Sequence, residues 1–183
     1  MNLIEVFKKT VTFLNKEKID YIIIGGMAVG IWGEPRATGD VDVDIILDKN
    51  ELEKFLEKLD EQGFIVSKKK CLKGAKTTGT FQVRIDDCHI DFIICSIELE
   101  KEAIRRKKVI KLHGADTNLP TPEDLILLKI IPGRPKDIAD AESIVIKNSG
   151  KLNKEYLLDW AMKLSDETED ARIHNEIKRL LKQ

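Results

Sequence analysis

Gly25–Leu47 reads GGMAVGIWGEPRATGDVDVDIIL, and its pattern decides the fold. From Val41 to Leu47 the residues alternate: Asp40, Asp42 and Asp44 fall on one face, and Val41, Val43 and Ile45 on the other. A period of two is the signature of a half-buried strand. Upstream, Tyr21–Ile24 is a short apolar run ending at Gly25-Gly26, which predicts a buried strand entering a tight turn. Met27–Trp32 then predicts a short helix, stopped by Gly33 and Pro35.

Three aspartates about 7 Å apart along one strand face repel each other and destabilise the bare fold. A divalent cation removes that penalty. Mg²⁺ prefers hard oxygen ligands and is held by one or two carboxylates plus substrate phosphates. Two such ions clamp the attacking and leaving oxygens of a phosphoryl displacement. A glycine turn at a helix N-terminus presents backbone N–H groups to a phosphate. A third carboxylate comes from a neighbouring strand, and Asp91 suits this: in HIDFIIC it is the one acid inside an apolar strand, sharing a face with His89 and Ile93. Taken alone, the alternating aspartates fit a solvated edge face equally well. GGMAVG is not a dinucleotide-binding GxGxxG, since Met27 takes the middle glycine position, and no P-loop pattern occurs.

Working outward, Leu3, Ile4, Phe7, Val11 and Leu14 recur at helical spacing over residues 2–17. Asn50 is placed to cap a helix whose apolar face is Leu52, Phe55, Leu56 and Leu59. Phe64–Ser67 reads as a strand and Lys68–Thr80 as a basic, glycine-containing loop. Phe81–Ile85 and Cys88–Ile94 flank Asp86-Asp87 and predict a hairpin. A helix over Ile97–Arg106 and an edge strand at Val109–Leu112 follow. Composition shifts at Leu119–Pro122, where Thr121, Pro122 and Asp124 form a helix start. The remainder reads as helices at 122–131, 136–147, 153–164 and 168–181. The expected fold class is α/β (α+β), with a core over 1–118 and a helical subdomain over 119–183.

The chain has 183 residues, and 31 basic residues oppose 32 acidic ones for a net charge of −1. That excludes retention on nucleic acid by bulk charge. Near-neutrality is nonetheless a sum over patches: KKKCLKGAK at 68–76 carries five lysines and no acid, and KEAIRRKKVIK at 101–111 carries six bases and one acid. The longest apolar run, Tyr21–Trp32, is too short for a bilayer, and the N-terminus is amphipathic helix, not a signal peptide. Cys71, Cys88 and Cys95 lack CxxC spacing and read as free thiols of a cytoplasmic protein. His89, His113 and His174 form no metal-binding pair in sequence.

The 25–47 stretch resembles the signature of the polymerase-beta-like nucleotidyltransferases: a GG or GS turn, then D-hydrophobic-D on the next strand. Its R-x-T-x-D-x-D form, Arg36 to Asp42, resembles the AbiE-type toxin branch. LPTPEDLILLKIIPGRPKDIADAESIV, residues 119–145, resembles the later motifs of that branch. The resemblance implies a mixed sheet with flanking helices and a Mg²⁺-dependent transfer, with Mn²⁺ an alternative, of a nucleoside monophosphate from an NTP. The acceptor it implies is a hydroxyl of tRNA, protein or a small molecule. It implies catalytic and metal-binding roles for Asp40, Asp42 and Asp91. It implies nucleotide contacts from Gly25, Gly26, Arg36, Thr38, Lys129, Arg134, Lys136 and Asp137. Asp140 is a further position to watch, although Asp137 and Asp140 are also where ordinary helix capping places acids. Where many members have serine after the first glycine, this chain has Gly26. The toxin branch also implies an antitoxin partner. The rival readings are a non-catalytic nucleotide- or partner-binding module of the same fold and a metal-dependent phosphohydrolase.

Overall fold

The protein is described by a computed structural model covering residues 1–182. Its elements are α1 (Leu3–Lys16), β1 (Asp20–Ile23), α2 (Gly25–Trp32), β2 (Asp40–Ile46), α3 (Leu52–Glu61), α4 (Lys68–Thr78), β3 (Thr80–Ile85) and β4 (Cys88–Ile94). They continue with α5 (Glu98–Arg105), β5 (Lys108–Leu112), β6 (Ala115–Leu119), α6 (Pro122–Ile130), α7 (Pro135–Lys147), α8 (Lys154–Thr168) and α9 (Ala171–Leu180).

The main sheet has the order β1-β2-β4-β3, with β2 and β4 parallel and the outer pairs antiparallel. The pleat gives it two unlike faces. On one, Val41, Val43, Ile90, Phe92, Phe81 and Val83 are buried against α1 and α3. Phe55 of α3 meets Phe81 and Phe92 edge-on, and Phe13 of α1 meets Phe55. Burying each such ring contributes about 1.5–3 kcal/mol. The other face carries Asp40, Asp42 and Asp44 on β2, His89, Asp91 and Ile93 on β4, and Thr80, Gln82 and Arg84 on β3. That is the polar face, and α2, α5, α6 and α7 stand around its β1–β2 half.

Two caps show how the sequence sets element ends. Asn2 accepts from the Glu5 amide at 3.0 Å while Glu5 accepts from the Asn2 amide at 2.8 Å, a reciprocal capping box on α1. Thr121 caps α6 with Pro122 in its first turn, as its sequence predicts. Within α6, Asp124 is fully buried. It accepts from Thr121 at 2.6 Å and from the Tyr156 hydroxyl at 2.5 Å, and pairs with Arg106 at 3.1 Å. This polar knot ties α5, α6 and α8 together.

Three sequence expectations need correction. Lys68–Thr80 is not a loop: Lys68–Thr78 is helix α4, ended by Gly79 at φ +73°. Cys71 is buried, and a Cβ at Gly74 would stand 2.5 Å from the Thr80 carbonyl oxygen, so the lysine-rich helix presses on β3 where only glycine fits. Phe64–Ser67 is not a strand: it makes a single bridge, Ile65 to Arg84, while Phe64 packs with Phe13. Asn50 does not cap α3; Glu51 holds that position without a side-chain bond. Val109–Leu112 lies in an edge strand as expected; it pairs with β6, whose sequence ADTNL lacks apolar alternation, in a separate two-stranded sheet. Among the described residues no helix is long and apolar enough to cross a membrane, and the cysteines are free thiols.

Candidate active site

Gly25 sits at φ +63°, and a Cβ there would stand 1.8 Å from Asp42 Oδ2. Glycine is therefore required twice: for the left-handed backbone and to let the Asp42 carboxylate lie against the start of α2. Ile24 N–H donates to the Asp42 carbonyl at 3.0 Å, which fixes the turn onto β2. A Cβ at Gly26 would stand 2.7 Å from Thr38 Cβ and 3.0 Å from its Oγ1. Thr38 thus fills the space a serine at position 26 would need, and it brings a hydroxyl to the same helix end.

Asp42 and Asp91 are register partners across the parallel β2–β4 pair, as are Asp40 and His89. Burial, and then the like charge of Asp91, push the Asp42 carboxyl above its ordinary range. Asp91 Oδ1 accepts from Gln82 Nε2 at 2.7 Å, which orients it from β3. His89 Nδ1 lies 3.7 Å from Asp40 Oδ1. Asp44 shares the face but is only 1% exposed, and its Oδ1 has no hydrogen-bond partner. Burial, then Glu100 and Asp42, hold its carboxyl well above the ordinary range. Asp44 thus lines the same cavity as Asp40 and Asp42 but is far more buried than they are.

A cavity of about 440 Å³ opens over this half of the sheet. Gly25, Gly26, Arg36, Thr38, Asp40, Asp42, Lys129, Arg134, Lys136 and Asp137 all line it, so two sequence motifs nearly 100 residues apart converge there. Ile24, Ile93, Ile97, Leu125 and Leu128 line it too, together with the acids Asp44 and Glu100. Asp91 stands beside Asp42 but opens onto a second cavity on the β3 side.

The positive wall is held by acids of α7. Arg36 donates from Nε and Nη2 to Asp140 at 2.8 and 2.9 Å. Lys129, itself buried, reaches Asp137 and Asp140, each at 3.1 Å, and Arg134 pairs with Asp137. Burial pushes the Asp140 carboxyl up, but Arg36 and Lys129 outweigh it and hold it below its ordinary value. The bond to Asp140 raises the Arg36 pKa in turn. Lys147 Nζ and Asn148 Nδ2 grip the carbonyls of Gly33 and Trp32 at 2.9 and 2.7 Å, so α7 also positions the loop that carries Arg36.

Three features escaped the sequence reading. Gln82 was legible in principle, since the hairpin register puts it opposite Asp91. Glu100 in the cavity wall and the Arg36–Asp140 pair carried no local signal.

The donor set fits a hard divalent cation. Asp42 and Asp91 are register partners, and burial and the Asp91 charge outweigh Lys129 and Arg36 in raising the Asp42 carboxyl. Among the described residues no three acid, histidine or cysteine side chains are gathered tightly enough to cage an ion unaided.

Residues 1–180 match the model of a family described as nucleotidyltransferases of unknown function (DUF6036). The chain belongs to that family, within the polymerase-beta-like nucleotidyltransferase superfamily, and is a nucleotidyltransferase. No functionally curated protein matches the sequence. Solved structures show the same fold at low identity. The antibiotic-resistance factor ANT(2″)-Ia in solution is 12% identical, with TM-score 0.64 over 93% of this chain and 97% of that one. Its crystal structure with adenylyl-2″-tobramycin is 15% identical, with TM-score 0.54 over 96% and 97%. The lincosamide antibiotic adenylyltransferase LnuA, lincomycin-bound, is 14% identical, with TM-score 0.52 over 79% and 96%.

Proposed function

We propose that the protein transfers a nucleoside monophosphate from an NTP to an acceptor hydroxyl and releases pyrophosphate. The observation that carries this is the placement of Asp42, in register with Asp91, against the Gly25-Gly26 turn of a cavity walled by Arg36 and Lys129.

Asp40, Asp42 and Asp91 would hold Mg²⁺ or Mn²⁺, which supplies charge neutralisation at the reacting phosphate. The amides at the start of α2 and the Thr38 hydroxyl bind the triphosphate. Arg36, Lys129, Arg134 and Lys136 offset its charge, with Asp137 and Asp140 fixing where those cations stand. Asp91, oriented by Gln82, accepts the proton of the attacking hydroxyl. In this scheme residues 1–118 supply the acids, the glycine turn and Arg36, and 119–183 supply Lys129, Arg134 and Lys136.

A toxin role, an antitoxin partner and a cytoplasmic location rest on the sequence pattern alone. Solved proteins of this fold include adenylyltransferases of antibiotics, so a small-molecule acceptor stands beside RNA and protein. The test is to incubate wild type and Asp42→Ala with Mg²⁺, α-labelled NTPs and candidate acceptors. Label on an acceptor with wild type only supports the proposal. NTP binding without turnover supports the regulatory module, and free nucleotide or phosphate supports the phosphohydrolase.

A further inference from the structure

The polar face of the sheet continues past Asp91 into a second cavity of about 510 Å³. Its floor is Thr80, Gln82 and Arg84 of β3 with His89 and Asp91 of β4, and α4 walls it with Lys70. Asp40 and Asp42 line the first cavity, and their register partners His89 and Asp91 line the second. A hydroxyl seated on the far side of Asp91 would approach a phosphate held on the near side.

The charges of the two cavities are handled differently. Arg36, Lys129 and Arg134 of the first are ion-paired, and of its cations only Lys136 enters no ion pair among the described residues. Lys68, at the start of α4, is paired with Glu57 and Glu53. Lys70 and Arg84 are exposed and enter no ion pair among the described residues. Asp91 is the one acid in the second cavity's lining, and its Oδ1 is taken by Gln82. The lining therefore presents two uncommitted cations, Lys70 and Arg84, around a single carboxylate. A polycationic acceptor finds too little negative charge there, whereas an anion finds two free partners. Among the described residues the lining's one exposed aromatic ring is the His89 imidazole, since Phe81 is buried.

Resting on the nucleotidyl-transfer reading above, we propose that the second cavity binds the acceptor and that this acceptor carries a phosphate near its attacking hydroxyl. Lys70 and Arg84 hold that phosphate. The acceptor oxygen forms a bond to the α-phosphorus, the bond from that phosphorus to the pyrophosphate oxygen breaks, pyrophosphate leaves with the electron pair, and the hydroxyl proton passes to Asp91. A small sugar phosphate and a nucleic-acid strand present the same chemistry.

The experiment measures fluorescence anisotropy of a labelled oligouridylate with wild type, Lys70→Glu/Arg84→Glu and the neutral Lys70→Gln/Arg84→Gln. NTP affinity with Mg²⁺ is measured in parallel, and circular dichroism confirms folding. Wild type is expected to bind the probe with a salt dependence. The neutral variant should bind about tenfold or more weakly, with a salt slope flatter by about 1.4, or ~0.7 for each of two lost phosphate contacts. NTP affinity should stay unchanged in both variants. Displacement by ribose 5-phosphate identifies a small phosphorylated acceptor, and resistance to it identifies a strand. The proposal is overturned if wild type binds neither phosphate probe, or if both variants bind as wild type does. Loss of NTP binding by wild type itself would instead sink the nucleotidyl-transfer reading.

Discussion

Asp42 and Asp91 stand side by side on parallel neighbouring strands, with Gly25 pressed against one and Gln82 bonded to the other. The pair is costly without a counter-charge, because burial and mutual repulsion both oppose ionisation of Asp42. A fold keeps such an arrangement where a ligand repays it.

The contact between Gly26 and Thr38 predicts a compensating pair. Gly26→Ser alone forces its Cβ to within 2.7 Å of Thr38 Cβ. Overpacking of this kind costs about 1–3 kcal/mol. We expect Gly26→Ser to lower both the thermal midpoint and NTP affinity. Gly26→Ser/Thr38→Gly should recover most of both losses, a non-additivity that a double-mutant cycle in calorimetric melting reads directly. Additive losses would show that the contact is not what excludes serine.

Arg36→Lys tests whether the fork of two bonds to Asp140 matters or only the charge. Lysine keeps the charge but cannot make the bidentate contact. The expected result is a KM for NTP raised about tenfold, roughly 1.4 kcal/mol, with kcat less affected. Steady-state kinetics over an NTP series decide it.

How much of this was legible beforehand follows from which signals are local. The alternation of Asp40, Asp42 and Asp44 and the glycine turn are written in consecutive residues, so strand and turn read directly. Asp137 fits first-turn capping equally well, but Asp140 lies beyond the first turn of α7, and only the tertiary fold reveals that the two hold Lys129 and Arg36. Helix α4 was misread because five lysines around Gly74 resemble a loop. Its single buried contact, Cys71 under β3, is invisible without the sheet. Strand β6 was missed because its partner β5, not its own pattern, makes it a strand.

Asp140 predicts an acid limb in stability. Its folded pKa lies below the ordinary 3.8 because Arg36 and Lys129 outweigh burial. A depressed carboxylate contributes stability that is present above the unfolded value, about pH 4, and lost as pH falls through the folded value. Asp140→Asn should therefore lose about 1–3 kcal/mol near neutral pH and show a flatter decline below pH 4. Urea melts from pH 7 down to pH 3 check both parts.

Tyr156→Phe should separate scaffold from site. The hydroxyl donates to buried Asp124 at 2.5 Å on the side of α6 that faces α8. Removing it should cost about 1–3 kcal/mol of stability. It should leave kcat and KM within about twofold at a temperature where the variant is folded, as expected for residues with no shared partners. A large fall in kcat would mean that α6 transmits strain to Lys129.

The most direct test of the central claim is the identity and amount of the released product. Wild type with Mg²⁺, an NTP and its acceptor should release one pyrophosphate per labelled acceptor. Asp42→Asn should lower the rate by about 10³-fold or more while remaining folded, as loss of an electrostatic ligand at the reacting phosphate demands. Release of inorganic phosphate in place of pyrophosphate, or turnover unaffected by Asp42→Asn, would contradict the account.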